Sequence, residues 1–217
     1  MSPREGGLFD VTSGVLRKVW RFAAGELPKP ERVHELLEKV GWRRVTWAPP
    51  LLAFPVPGME LDLGGVVKEY AVDRVTALCR AAGVSGGLVN LGGYVGVIGP
   101  HPDGGPWRIG IRHPRRPGEL LQTVALHRGA LATSGDYERC IVFEGVRCGH
   151  ILSPKTGWPV RRMASVSVAG ELCVVAGSTA TIAVLKEDTG PEWLAEVGLP
   201  HLWVDVEGNT GGSLATN

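Results

Sequence analysis

Apolar and polar positions alternate or recur with enough regularity to divide most of the chain into elements. Val67, Ala71, Val75, Leu78 and Ala82 recur at three- and four-residue intervals, with Lys68, Asp73, Thr76 and Arg80 off the stripe. That spacing predicts an amphipathic helix with Val67, Val75 and Leu78 facing the core. Before it, Leu61-Asp62-Leu63 predicts a short strand running into Gly64-Gly65. Val33, Leu36, Leu37 and Val40 make a second helical stripe that starts at Pro30, and Val15, Leu16, Val19, Trp20 and Phe22 suit a packed helical face.

Strands are predicted at 44–47 and 51–54, joined through Pro49-Pro50, then at 87–91, 95–98, 107–111, 121–126 and 164–169. The runs 139–143 and 146–152 flank Glu144-Gly145, a two-residue hairpin turn. Two late helices, about 172–186 and 191–197, lead into a strand at 202–206. Residues 208–217 are expected to form a mobile polar tail after a single domain over 1–207. Many strands with few intervening helices argue for an α+β domain with a mostly antiparallel sheet, since a doubly wound fold alternates the two.

Composition narrows the function classes. The 217 residues carry 23 Lys+Arg against 22 Asp+Glu and no basic run, which argues against a nucleic-acid partner. No apolar run approaches a membrane span, and the first residues do not read as a signal peptide, so the chain as written is expected to be cytoplasmic. Cys79, Cys140, Cys148 and Cys173 lack metal-finger spacing and are expected as buried thiols. The 31 glycines cluster at turns instead of forming a low-complexity tract.

Four glycine-containing segments carry more polar chemistry than a core needs: 61–75, 89–93, 133–139 and 149–159. In the first, Gly64-Gly65 before a helix has two readings: a corner kept for steric reasons, or a phosphate cradle formed by free N–H groups of the first helical turn. Taken together with Gly7-Leu8-Phe9-Asp10, and in this order, the segments resemble the ApbE family, the FAD:protein FMN transferases. The family pattern runs GxFD, DLGGxxKGYxxD, VNLGGD, SGxYxR and HIxDPxTG, followed by a helix with Asp and, four residues on, Thr. Here it meets Gly7–Asp10, Asp62–Asp73, Asn90–Gly93, Ser134–Arg139, His150–Gly157 and Thr181.

The resemblance implies a T-fold-like α+β domain with FAD as substrate and Mg²⁺ as cofactor. The implied partner is a target flavoprotein that receives FMN on a Thr or Ser as AMP leaves. It implies FAD contacts at Leu8, Phe9, Asp10, Asp62, Lys68 and Ile151, metal ligands at the Gly65 carbonyl and the Thr181 hydroxyl, and His150 as the base. Family members also include inner-membrane and periplasmic lipoproteins, and some hydrolyse FAD to FMN and AMP. Because the first motif stands at Gly7, the chain is expected to lack the region that full members carry ahead of it.

Several positions depart from the pattern. Gly177 stands where the family has its metal-binding Asp, Glu69 replaces the Gly after the helix Lys, and Tyr94 and Ser153 replace two further Asp residues. These departures keep a second reading open: a non-catalytic FAD-binding protein with a degenerate metal site. An Asp introduced at 177 is expected to strengthen Mg²⁺ binding if the pocket is otherwise preserved.

Overall fold

The computed structural model describes residues 7–22, 26–137 and 139–215. A 3₁₀ turn at Ser13–Lys18 precedes α1 (Pro30–Leu37), which starts on its proline as predicted. A small ribbon comes next, β1 (Thr46–Ala48) with β2 (Leu51–Ala53), and then α2 (Val67–Ala81). Beyond α2 lie β3 (Gly87–Leu91), β4 (Tyr94–Gly99), β5 (Trp107–Arg112), β6 (Leu120–Leu126) and β7 (Ala130–Gly135). The chain continues through β8 (Cys140–Phe143), β9 (Val146–Gly149), β10 (Met163–Gly170), α3 (Cys173–Leu185), α4 (Gly190–Val197), β11 (His201–Asp205) and β12 (Thr210–Gly211).

The main sheet has six strands in the order β12-β11-β10-β7-β4-β3, every neighbouring pair antiparallel. The β3–β4 connection is the two-residue turn Gly92-Gly93. Both residues take positive φ (65° and 94°), which is why glycine suits a tight hairpin there. On one face, α3 packs over β7 and β10 while α2 lies beside it over β3 and β4. The other face is covered by the β5–β6 ribbon. The α+β, mostly antiparallel fold is therefore as expected.

The period-two alternation sorts the core residues. On β7, Ala130 and Ala132 join Val166 and Val168 of β10 under the helices, while Leu131 joins Ile111, Val124 and Leu202 under the ribbon. Burying each large apolar side chain of this kind contributes roughly 1.5–3 kcal/mol. A third cluster ties the start of the chain to the loop after β9. Val15, Leu16, Trp20, Val33 and Leu36 pack with Leu152 and Trp158, and the Trp20 indole N–H donates to the Gly157 carbonyl at 2.8 Å.

Four expectations change. No strand forms at 61–63. The stripe expected to bury α2 faces outward: Val67, Val75 and Leu78 are exposed, while Glu69, Val72 and Thr76 are buried. The contact surface is set by close approach to α3 and β4, where small and polar side chains fit and long aliphatic ones do not. Strand β7, whose Thr133-Ser134-Gly135 reads as a polar segment, lies inside the sheet. The supposed tail adds an edge strand at Thr210–Gly211, and Leu214 packs under the ribbon. Among smaller shifts, a 3₁₀ turn occupies Trp42–Arg44 ahead of β1, and β9 ends at Gly149, with Leu152 making one isolated bridge to Pro159. Glu138 and residues 1–6 lie outside the described residues.

The two helices on the sheet are joined by an ion-assisted cap. Leu172, at the N-cap of α3, offers no side-chain acceptor. The N–H groups of Cys173 and Val174 instead donate to the two carboxylate oxygens of Asp73 on α2, at 2.7 and 2.9 Å. A carboxylate there satisfies two orphan donors and complements the positive end of the helix dipole. Asp73→Ala should destabilise the protein by about 1–3 kcal/mol, read as a lower urea midpoint with unchanged slope.

Candidate active site

Of the segments singled out by sequence, 7–10, 61–75 and 133–139 come together where the N-terminus of α2 meets the middle of α3. Asp62 is held by its N–H, which donates to the Val11 carbonyl at 2.7 Å, and its carboxylate accepts from the Gly64 N–H at 2.8 Å. Arg17 completes its contacts with an ion pair at 3.2 Å. The Phe9 ring lies against Gly65, with two ring carbons 3.0 and 3.1 Å from where a Cβ would stand. Gly64 and Gly65 are thus retained for close approach; neither adopts positive φ. The Val66 carbonyl receives the Tyr70 N–H, while among the described residues no backbone N–H bonds the Gly65 carbonyl.

Leu8, Phe9 and Ile151 all pack against the main core cluster. His150 is exposed and immediately follows β9. Its neighbour Gly149 abuts Asp136, whose Cβ is 2.9 Å from the position a Gly149 Cβ would take. Asp136 is in turn gripped by both terminal nitrogens of Arg115, at 2.6 and 2.7 Å. That charge-assisted fork fixes the turn beside His150 and raises the Arg115 pKa. On α3, the Thr181 hydroxyl hydrogen-bonds the Ser134 hydroxyl of β7 at 2.7 Å.

Two predicted FAD contacts have other engagements. The Asp10 carboxylate accepts from the Thr12 N–H and hydroxyl at 2.9 and 2.6 Å and from the Trp42 N–H at 2.9 Å, so it organises its own loop. The Lys68 ammonium lies 4.3 Å over the centre of the Tyr94 ring, a cation–π contact. Tyr94 links this cluster to a cavity of about 640 Å³ beneath the ribbon, which Asn90, Arg108, Arg112, Thr133 and Tyr137 also line. None of the predicted FAD contacts lines that cavity. The alternation of β7 explains the division, with Ser134 facing α3 and Thr133 facing the cavity.

Sequence reasoning assigned no role to Glu69, Asp73 or Ser134. Glu69 is 1% exposed, and neither carboxylate oxygen closes a well-formed hydrogen bond. Burial raises its pKa, although its own N–H, the Lys68 charge and the Tyr94 hydroxyl pull the other way. Its side chain lies against Gly177: a Cβ there would stand 2.5 Å from the Glu69 Cγ and 3.0 Å from Oε1. An Asp added at 177 would therefore collide with Glu69, so the preserved pocket on which the expected gain in Mg²⁺ binding depends is not open at this position. Burial also pushes the Cys173 thiol up to about 12, with the Asp73 and Glu69 charges adding to the rise, so it stays neutral. All four cysteines are free, Cys148 and Cys173 being buried and Cys79 and Cys140 half-buried. Among the described residues, no three His, Cys, Asp or Glu side chains converge on one point, and no helix is long and apolar enough to cross a membrane.

The model of the ApbE family matches residues 1–203. The chain belongs to the ApbE family. It is 34% identical over 207 residues to an FAD:protein FMN transferase of Rhodobacter capsulatus, covering 90% of this chain and 38% of that protein. An FAD:protein FMN transferase of Vibrio cholerae serotype O1 is 32% identical over 85% of this chain and 57% of its own length. Among solved structures, the ApbE protein of Thermotoga maritima superposes with a TM-score of 0.87 at 33% identity, over 97% of this chain and 71% of that one. The flavin transferase ApbE of Vibrio cholerae gives 0.83 at 29% identity, over 96% and 70%. The chain thus spans less than two thirds of the curated relatives it matches.

The family match sharpens the contrast at 69 and 177. Gly177→Ala should cost about 1–3 kcal/mol by overpacking against Glu69. In a Glu69→Gly background the same change should cost nothing or stabilise by up to roughly 1 kcal/mol, because alanine is the better helix former. A double-mutant cycle in urea checks this; equal effects in both backgrounds would contradict the contact.

Proposed function

We propose that this chain carries the catalytic part of an FAD:protein FMN transferase, which moves FMN from FAD to a Thr or Ser of a target flavoprotein and releases AMP. The observation that carries the reading is convergence. Phe9 against Gly65, Glu69 against Gly177 and Ser134 against Thr181 link segments dispersed in sequence around the start of α2 and the middle of α3. Relatives covering most of this chain bear the same activity in their names.

In this reaction the acceptor hydroxyl oxygen attacks the phosphorus on the FMN side of the pyrophosphate. The bond from that phosphorus to the bridging oxygen breaks, and AMP departs with the bridging oxygen. His150 receives the hydroxyl proton, a role suited to imidazole near neutral pH. Phe9, Leu8 and Ile151 present apolar surface to the nucleotide, and Asp62 and Lys68 supply polar contacts to it. Lys68 brings a positive charge beside the start of α2, whose N-cap residue Val66 makes no side-chain cap and where an anionic phosphate is favoured.

The oxygens of the Gly65 carbonyl and the Thr181 hydroxyl suit a hard cation such as Mg²⁺. When bound, the ion would neutralise charge developing on the pyrophosphate. The hydroxyl pair Ser134–Thr181 orients Thr181 from the sheet side.

Gly177 favours a second reading, FAD binding without transfer, and hydrolysis of FAD to FMN and AMP is a variant of the first. Incubation with FAD, Mg²⁺ and a peptide bearing an acceptor Thr separates them. The proposed activity gives an FMN-sized mass gain with stoichiometric AMP. Free FMN identifies hydrolysis, and intact FAD on an unmodified peptide identifies binding alone. His150→Ala is expected to lower the transfer rate about 10²–10⁴-fold while FAD affinity stays within roughly threefold.

A further inference from the structure

We propose that Glu69 supplies the metal-binding carboxylate of this chain from α2, replacing the one that α3 gives up at Gly177. The inference rests on the transferase reading, which calls for a cation at the Gly65 carbonyl and Thr181, and goes beyond it by naming a ligand the family pattern does not contain.

Three observations support the exchange. The first is volume. The position of a Gly177 Cβ lies 2.5 Å from the Glu69 Cγ, 3.2 Å from Cδ and 3.0 Å from Oε1, so the Glu69 carboxylate fills the space into which an aspartate at 177 would project. The two departures from the family pattern are therefore one event in space. A side chain is added on α2 where one is removed from α3, and a carboxylate remains at the same place.

The second is the state of the carboxylate. Glu69 is 1% exposed, and among the described residues neither oxygen closes a well-formed hydrogen bond. A buried carboxylate so poorly paired is costly, and proteins resolve such cases with a counter-charge, a proton or a metal. The Lys68 charge, seated over the Tyr94 ring, and the Tyr94 hydroxyl offset the burial only in part. The adjacent acid is already satisfied, because Asp73 caps α3.

The third is register. Gly65 stands two residues before α2 and Glu69 lies in its first turn, while Gly177 and Thr181 are four apart on α3. Within a helix this spacing stacks positions on one face, with Cβ atoms about 5–6 Å apart. The contact between 69 and 177 sets the Glu69 carboxylate against α3 one helical turn from Thr181. The Ser134 hydroxyl stands behind Thr181 at 2.7 Å and can accept its proton, leaving a Thr181 lone pair for the ion. One carboxylate with neutral oxygens is an ordinary Mg²⁺ donor set when substrate phosphates and water complete the octahedron.

The test uses the whole chain and Mn²⁺ as a paramagnetic probe, titrated with and without FAD and followed by electron paramagnetic resonance. Circular dichroism and FAD affinity are measured on each variant. The wild type should bind one Mn²⁺, displaceable by Mg²⁺. Glu69→Gln, which keeps the shape and removes the charge, should weaken it by about tenfold or more. The exchange Glu69→Gly with Gly177→Asp should bind within about threefold of wild type, and this arm decides the matter if Glu69→Gln folds poorly. Gly177→Asp alone should not improve binding. Unchanged Mn²⁺ affinity in folded Glu69→Gln overturns the proposal and leaves the transferase reading intact if FMN transfer persists. A wild type that binds FAD without Mn²⁺ also overturns it and marks Glu69 as a protonated plug. A wild type that binds neither overturns both readings.

Discussion

Two hydrogen bonds across the helix layer fix most of the architecture around the candidate site. Because the Asp73 carboxylate takes the first two N–H groups of α3, the beginning of α3 is placed against the second turn of α2. The crossing leaves no room for a side chain at Gly177 once Glu69 is present. It also settles which face of α2 is buried, since the face carrying Asp73 must look inward. Val72 and Thr76 accompany Asp73 into the interior, and the aliphatic row of Val67, Val75 and Leu78 turns outward. The sheet below contributes the other half of the arrangement. Strand β7 sits between β4 and β10, and its alternation carries Ser134 to Thr181 on one side and Thr133 into the cavity on the other.

Much of the sheet was legible because its strands alternate cleanly. Trp107, Ile109 and Ile111 of β5 and the run 164–169 of β10 stand where periodicity puts them. The helix starting at Pro30 was legible through its first residue and α3 through its run of small and apolar residues without a proline. The direction of α2 was not. Amphipathic reasoning assumes that the interior welcomes the largest apolar side chains, whereas a tight helix–helix and helix–sheet contact selects small residues and a carboxylate that serves as a cap. Strand β7 was missed for a related reason, because hydroxyl residues on an inner strand resemble a loop until their partners on Ser167 and Thr181 are visible.

The candidate site divides along similar lines. Motif order pointed to residues that lie near one another in part: Phe9 lies against Gly65, Asp62 accepts from the Gly64 N–H, and Ile151 joins the same core as Phe9. Sequence could not reveal that Asp10 is occupied by its own loop, because Asx-type bonding to Thr12 and Trp42 depends on how the backbone turns. Nor could it reveal that positions 69 and 177 touch. Each departure was visible singly, as an added acid and a lost one, but their adjacency is a tertiary fact.

The fit between those two positions restricts the paths by which a relative's sequence could reach this one. From an ancestor with glycine at 69 and aspartate at 177, losing the aspartate first passes through a form with no carboxylate in the crevice. Gaining the glutamate first passes through a form with two carboxylates crowded into the space for one. Each single step is harmful for its own physical reason, one by leaving a hole and the other by electrostatic repulsion and overlap. The two sites are therefore expected to change together across the family, and the residue found at one should forecast the residue at the other.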